Sequence, residues 1–284
     1  MKAFDLYNIL ERDFVKPGMT ENWYGYMEGL GDYICDSFKQ RSMGVMCDFA
    51  QDITKVYTAV FPSDRVFNKV LEKGETDAMI FLHHAADWSL DRIPGKIFYD
   101  MNIDLLKKLK QRRISLFCYH YALDNFNEYS TSKTFADAIG VTAEKPFAEF
   151  SSALCGIIGT TGCKDVNELN AKISQVVGHE TALYNYGNDE IKDGKVAIVA
   201  GGGNDKSVVK EVIENGVNVL VSGISVSNEF SADVHNLEKE NGINLIGATH
   251  YSSEKFACIA MCNYFKKLGL QSEFVKDVPC LKDL

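Results

Sequence analysis

Six apolar runs punctuate the chain, at residues 56–61 (VYTAVF), 78–82 (AMIFL), 115–119 (SLFCY), 196–200 (VAIVA), 217–221 (VNVLV) and 243–247 (INLIG). None alternates apolar with polar residues, the pattern of strands covered on both faces. Between them apolar positions recur at helical spacing, most clearly Ala257, Ala260, Met261, Tyr264 and Leu268 on one face of the segment after His250. The predicted class is α/β, in two lobes.

An internal likeness supports two lobes. Residues 66–74 (VFNKVLEKG) and 208–216 (VVKEVIENG) share their apolar pattern, and each ends at a glycine suited to helix termination. Each is preceded by one apolar run and followed by another, so the unit is strand, helix, strand. The second lobe is expected at residues 134–240, inserted into a discontinuous first lobe of 1–133 plus 241–284. The first copy runs into His83 and His84 and the second into Gly223 and Ile224, so ligand chemistry is expected in the first lobe alone.

At 284 residues the chain is long enough for about two domains. Its 46% hydrophobic and 24% charged residues are ordinary for a globular protein and exclude a fibrous or disordered one. Asp and Glu number 39 against 30 Lys and Arg, which argues against a nucleic-acid partner. The charged, amphipathic start MKAFDLYNILERDFVKP has no signal-peptide core, and no apolar stretch is long enough for a membrane span; a cytoplasmic, soluble protein is expected. The eight cysteines are scattered and expected to be reduced, with Cys258 and Cys262 as packing thiols.

Candidate chemistry lies in the histidines. Of six, four sit at strand ends: His83 and His84 after AMIFL, His120 after SLFCY and His250 after INLIGAT. In open α/β sheets, sites form where the carboxyl ends of strands converge. His120 and His250 each have a carboxylate four residues on, Asp124 and Glu254, which one helical turn brings to the same side. Imidazole with carboxylate suits Zn, Fe, Mn or Ni. A set of four to six such ligands exceeds what one catalytic ion takes, and points to two divalent ions about 3.5–4 Å apart. Asp87 is expected to be a solvated loop residue, and His179 and His235 to be structural.

The arrangement LHHAADW, HYALDN and GATHYSSEKFA resembles the NIF-three-like dinuclear-metal-centre family, some members of which are named GTP cyclohydrolase type two homologues. The likeness extends through TKVYTAVFPSDRVFNKVLEKGETDAMIFLHH, KVAIVAGGG and VNVLVSG. It implies that His83, His84, Asp124, His250 and Glu254 hold two metals, with His120 a further candidate. It also implies two related α/β domains, the second inserted in the first, and a homohexameric toroid. The chain departs from the family at HHA, where HHP is usual, and at Ser222, Gly223 and Ile224, where T-G-E is usual.

The glycine cluster at 200–206 (AGGGNDK) follows a strand and precedes a helix, but it lacks the last glycine of a dinucleotide loop and is not a P-loop. A tight turn is expected, with anion binding the alternative. The expected function is a metal-dependent hydrolase acting on a small nucleotide-like or phosphorylated molecule through a metal-bridging hydroxide. Tyr121 and Tyr251, each adjacent to a candidate histidine, are candidates for a proton donor, with a hydrogen bond to a ligand the alternative role. The alternative is a non-catalytic metal-binding or interaction protein.

Overall fold

A computed structural model describes residues 1–93 and 95–284. The chain divides into two compact units, Met1–Leu123 with Cys258–Val278 and Asp124–Ala257 with Pro279–Leu284. Elements are numbered along the whole chain.

In the first unit, helix α1 (Ala3–Phe14) realises the amphipathic start, burying Ala3, Leu6, Leu10 and Phe14. Helix α2 (Asp36–Arg41) and strand β1 (Gly44–Cys47) follow. The first strand–helix–strand copy is β2 (Lys55–Ala59), α3 (Asp64–Glu72) and β3 (Ala78–Leu82). A hairpin of β4 (Asp87–Ile93) and β5 (Lys96–Tyr99) leads to α4 (Ile103–Gln111), β6 (Ile114–Cys118) and the short α5 (Tyr121–Asp124). Late in the chain, β13 (Gln271–Phe274) completes a five-stranded sheet of order β1-β6-β3-β2-β13. Only β1 runs antiparallel to its neighbour. Both faces of the sheet are covered. Tyr57, Ile80 and Leu116 pack with Phe67 and Val70 of α3 and Leu106 and Leu109 of α4, while Phe81 and Phe117 meet Phe265 and Tyr7 respectively from the other side.

The second unit holds α6 (Thr131–Ala138), β7 (Val141–Phe150), β8 (Ala153–Thr161), α7 (Val166–Val177), β9 (Ala182–Tyr184), β10 (Lys195–Val199), α8 (Lys206–Glu214), β11 (Val219–Ser222), α9 (Ala232–Asn241) and β12 (Asn244–Gly247). Its six-stranded sheet has the order β7-β8-β10-β11-β12-β9. Along β10, Val196 and Ile198 face a core built with α6 and α7, while Ala197 and Val199 face one built with α8 and α9. That division is why the run carries no polar alternation.

The repeat is structural. β10, α8 and β11 form the same parallel unit as β2, α3 and β3, and both helices stop at a left-handed glycine, Gly74 at φ +75° and Gly216 at φ +67°. The units divide differently from the expected 134–240. β12 belongs to the second sheet because it pairs in parallel with β11 and antiparallel with β9. Helix α10 (His250–Lys267) begins in the second unit, so the candidate ligands His250 and Glu254 belong there and not to the first lobe. The eight cysteines are free thiols, and Cys258 and Cys262 pack against Ala59 and Thr58.

Candidate metal centre

His83 and His84 follow β3 directly and continue its pairing with β2: their N–H groups donate to the Ala59 and Val60 carbonyls at 3.1 and 2.8 Å. Tyr119 N–H donates to the Leu82 carbonyl at 3.1 Å, which brings His120 to the same sheet end. Three histidines from two adjacent strands thereby converge, each offering a ring nitrogen within 4.8 Å of the others. Ring centroids lie 4.4 Å apart for His83 and His84, 4.7 Å for His84 and His120, and 5.2 Å for His83 and His120.

Hydrogen bonds orient two of these rings. His83 Nδ1 lies 3.0 Å from the Tyr119 carbonyl, which can only accept, so Nδ1 carries the proton and Nε2 presents a lone pair. His120 Nδ1 lies 2.7 Å from Glu21 Oε2. Sequence reasoning missed Glu21: it sits 99 positions away in a segment without periodicity, and no motif spacing signals it. Burial raises the Glu21 carboxyl, but His120 and the Trp23 and Tyr121 donors outweigh it, holding the group below its ordinary value. His84 stacks on Phe61 at 4.6 Å and meets the edge of Trp23 at 5.9 Å.

Asp87 is not the solvated residue expected. It is buried at the start of β4, paired with the Arg92 guanidinium from the same strand and accepting Trp88 N–H at 3.0 Å. Burial raises its carboxyl in spite of Arg92.

In the second unit, His250 Nε2 lies 3.2 Å from Glu254 Oε1, one turn along α10, as their spacing predicted. Both are buried. The preceding residue, Thr249, is left-handed at φ +65°, a strained conformation for a β-branched residue. Its Oγ1 accepts Ser252 N–H at 3.2 Å, while Asp283 Oδ2 accepts His250 N–H at 2.8 Å. A carboxylate at a helix start complements the helix dipole.

The glycine cluster forms a turn whose purpose the sequence hid. Gly201 is at φ +70°, and a Cβ there would lie 2.2 Å from Glu254 Oε1 and 3.3 Å from His250 Cδ2. Its N–H donates to Ser253 Oγ at 2.9 Å. The loop is therefore a wall against the His/Glu pair. Asp124 is buried and accepts Thr131 Oγ1 at 2.5 Å. His179 joins Ser252 and the Glu180 carbonyl, and His235 is buried beside Tyr186; among the described residues neither is part of a group that could hold a metal ion.

The sequence profile of the DUF34/NIF3 (NGG1p interacting factor 3) family matches residues 35–278. The chain belongs to the DUF34/NIF3 family. A relative from Borreliella burgdorferi named GTP cyclohydrolase 1 type 2 homolog is 30% identical over 213 residues, 75% of this chain and 79% of its own length. Among solved structures, protein ybgI, described as of unknown function, matches with a TM-score of 0.74 at 18% identity over 99% of this chain and all of its own. TTHA1606 from Thermus thermophilus matches at 0.70 with 19% identity over 99% of this chain and all of its own. These similarities establish the NIF3-like fold. Among the described residues, no helix is long and apolar enough to cross a membrane.

Proposed function

We propose that this DUF34/NIF3 protein binds two divalent metal ions, Zn, Fe or Mn, through His83, His84, His120, Asp124, His250 and Glu254, and acts as a hydrolase on a small nucleotide-like or phosphorylated molecule. The observation that carries the proposal is the convergence of three imidazoles at one sheet end, two of them oriented by acceptors on Nδ1. That donor set fits a borderline metal, for which neutral imidazole is a preferred ligand and an acceptor on the other ring nitrogen fixes the tautomer. In the second unit, the His250 and Glu254 pair supplies imidazole and carboxylate on one helical turn. When bound, such ions would lower the pKa of a coordinated water so that hydroxide is available near neutral pH.

The chain's own residues orient and shelter. Glu21 and the Tyr119 carbonyl turn two imidazoles, Phe61 and Trp23 exclude water around His84, and Gly201 leaves room for the Glu254 carboxylate. The names carried by relatives make a nucleotide the first molecule to try. The ring of six chains implied by the family resemblance is part of the same proposal, with light scattering expected to give about six times the 31.7 kDa of one chain.

Elemental mass spectrometry on protein purified without added metal or chelator tests the centre. About two equivalents per chain are expected, with a large loss in His84→Ala and Glu254→Ala. Hydrolysis of a nucleotide and phosphoester panel should then vanish on chelation. Protein that stays empty after incubation with Zn, Fe and Mn would end the metal proposal. Full loading with no turnover would favour a non-catalytic metal protein.

A further inference from the structure

The segment before α2 carries a carboxylate whose contacts all serve one histidine and its neighbours. Glu21 Oε2 accepts from His120 Nδ1 at 2.7 Å and from Trp23 Nε1 at 2.8 Å, and Oε1 accepts Tyr121 N–H at 3.0 Å. The side chain is 3% exposed, so little water competes for these oxygens. Its backbone is held independently: Glu21 N–H donates to the Arg41 carbonyl at 3.0 Å, and Trp23 and Tyr24 N–H both donate to Ser42 Oγ at 2.8 and 3.1 Å. Ser42 is itself a left-handed residue ending α2, at φ 52°. The carboxylate is therefore placed by the scaffold before it meets His120.

We infer that Glu21 is the positioning residue of the candidate metal centre: it holds His120 as the tautomer protonated on Nδ1 and fixes the ring so that Nε2 is the ligating atom. The inference rests on the metal-binding proposal above but concerns a residue outside the ligand set. A buried carboxylate surrounded by three N–H donors accepts from all of them at once and can offer no proton while ionised. A glutamine cannot satisfy the same surroundings. With its amide nitrogen toward His120 it demands a lone pair on Nδ1 and drives the proton to Nε2, the ligating position. With the nitrogen toward Tyr121, two N–H groups face each other. Glu21→Gln thus keeps volume and removes the feature that sets the tautomer. Carboxylate partners of metal-bound imidazoles carry about 10–100-fold in metal affinity.

Two measurements test this on the full chain. In metal-free protein above pH 8, long-range ¹⁵N–¹H correlation should show His120, assigned by its absence from His120→Gln, with the proton on Nδ1. In Glu21→Gln a substantial Nε2–H population should appear. Zinc affinity, measured by competition with a chromophoric chelator, should fall about 10–100-fold in Glu21→Gln with the stoichiometry at saturation retained. Wild-type His120 protonated on Nε2 would overturn the inference, as would a Glu21→Gln variant with unchanged tautomer and affinity. If the wild-type protein takes up no zinc, the metal proposal falls and the tautomer comparison alone decides the role of Glu21.

Discussion

At the scale of single residues, the clearest departure from ordinary behaviour is Glu238, on α9 and not one of the candidate ligands. It is 0% exposed, with Oε2 3.4 Å from His235 Nδ1, which also meets the Tyr186 hydroxyl at 2.9 Å. Burial pushes its carboxyl up to about 8 and lowers the His235 imidazole, so both are neutral near pH 7. Lys239, next along the helix, lies over the Tyr186 ring at 5.1 Å rather than against the carboxylate. A carboxyl raised in the folded state keeps a proton that the unfolded chain releases near its ordinary value of 4.5. Its contribution to stability is complete below that value and is lost as pH climbs toward 8. Urea unfolding of Glu238→Gln against wild type at pH 5, 6, 7 and 8 should show the variant gaining about 1.4 kcal/mol per pH unit in relative terms across that window. Parallel pH profiles would show that Glu238 titrates normally. Nothing in the sequence marked this pair, since the spacing of His235 and Glu238 is as common on solvated helices as in cores. Glu21 was hidden for the opposite reason, its partner being far off in sequence.

Elements were more legible than residues where burial alone decided them. All six apolar runs are strands, their ends matching to within two residues. Of the unforeseen strands, β4 and β5 form a separate two-stranded hairpin, and β1, β7, β9 and β13 lie at the sheet edges, where one side lacks a partner strand and selection for apolar side chains relaxes; β13 reads QSEF. β8 is interior, but Gly156 and Gly159 interrupt its run because a Cβ at either would lie within 3.0 Å of β7 atoms. The loop between β10 and α8 shows how one element can be read correctly as a turn while its purpose stays hidden. Gly201 and Gly202 are neighbours in sequence with opposite surroundings: a Cβ on Gly201 collides with Glu254, whereas on Gly202 the nearest atom is Ile224 Cδ1 at 3.8 Å. Gly201→Ala also needs a left-handed alanine. It should destabilise the chain by about 1–3 kcal/mol and displace the Glu254 carboxylate, weakening zinc binding. Gly202→Ala should stay within about 0.5 kcal/mol of wild type. Denaturant midpoints and zinc titration of the two variants check the contrast, and equal effects would remove the loop from the account of the site.

For the whole molecule, the proposed ligands extend from His83 to Glu254, so the unfolded chain cannot present them together. Metal binding must then appear as folding stability. Free zinc at about 100 times its dissociation constant adds about 2.7 kcal/mol for one site. For a chain of this size that corresponds to a rise in Tm of roughly 5–10 °C. The rise should grow with the logarithm of zinc concentration, reverse on chelation, and be absent in His84→Ala, whose imidazole lies among the ligand cluster and is 1% exposed. It should also shrink below about pH 6, because imidazoles ligate only when neutral and protons then compete with the metal. Zinc held by scattered surface carboxylates behaves otherwise: the gain would survive His84→Ala and persist to lower pH, where carboxylates stay ionised. Calorimetric scans at pH 5.5 and 7.5, with and without zinc, separate the two cases. A stabilisation indifferent to His84 would place the metal elsewhere on this acidic surface and leave the three converged imidazoles without the role proposed for them.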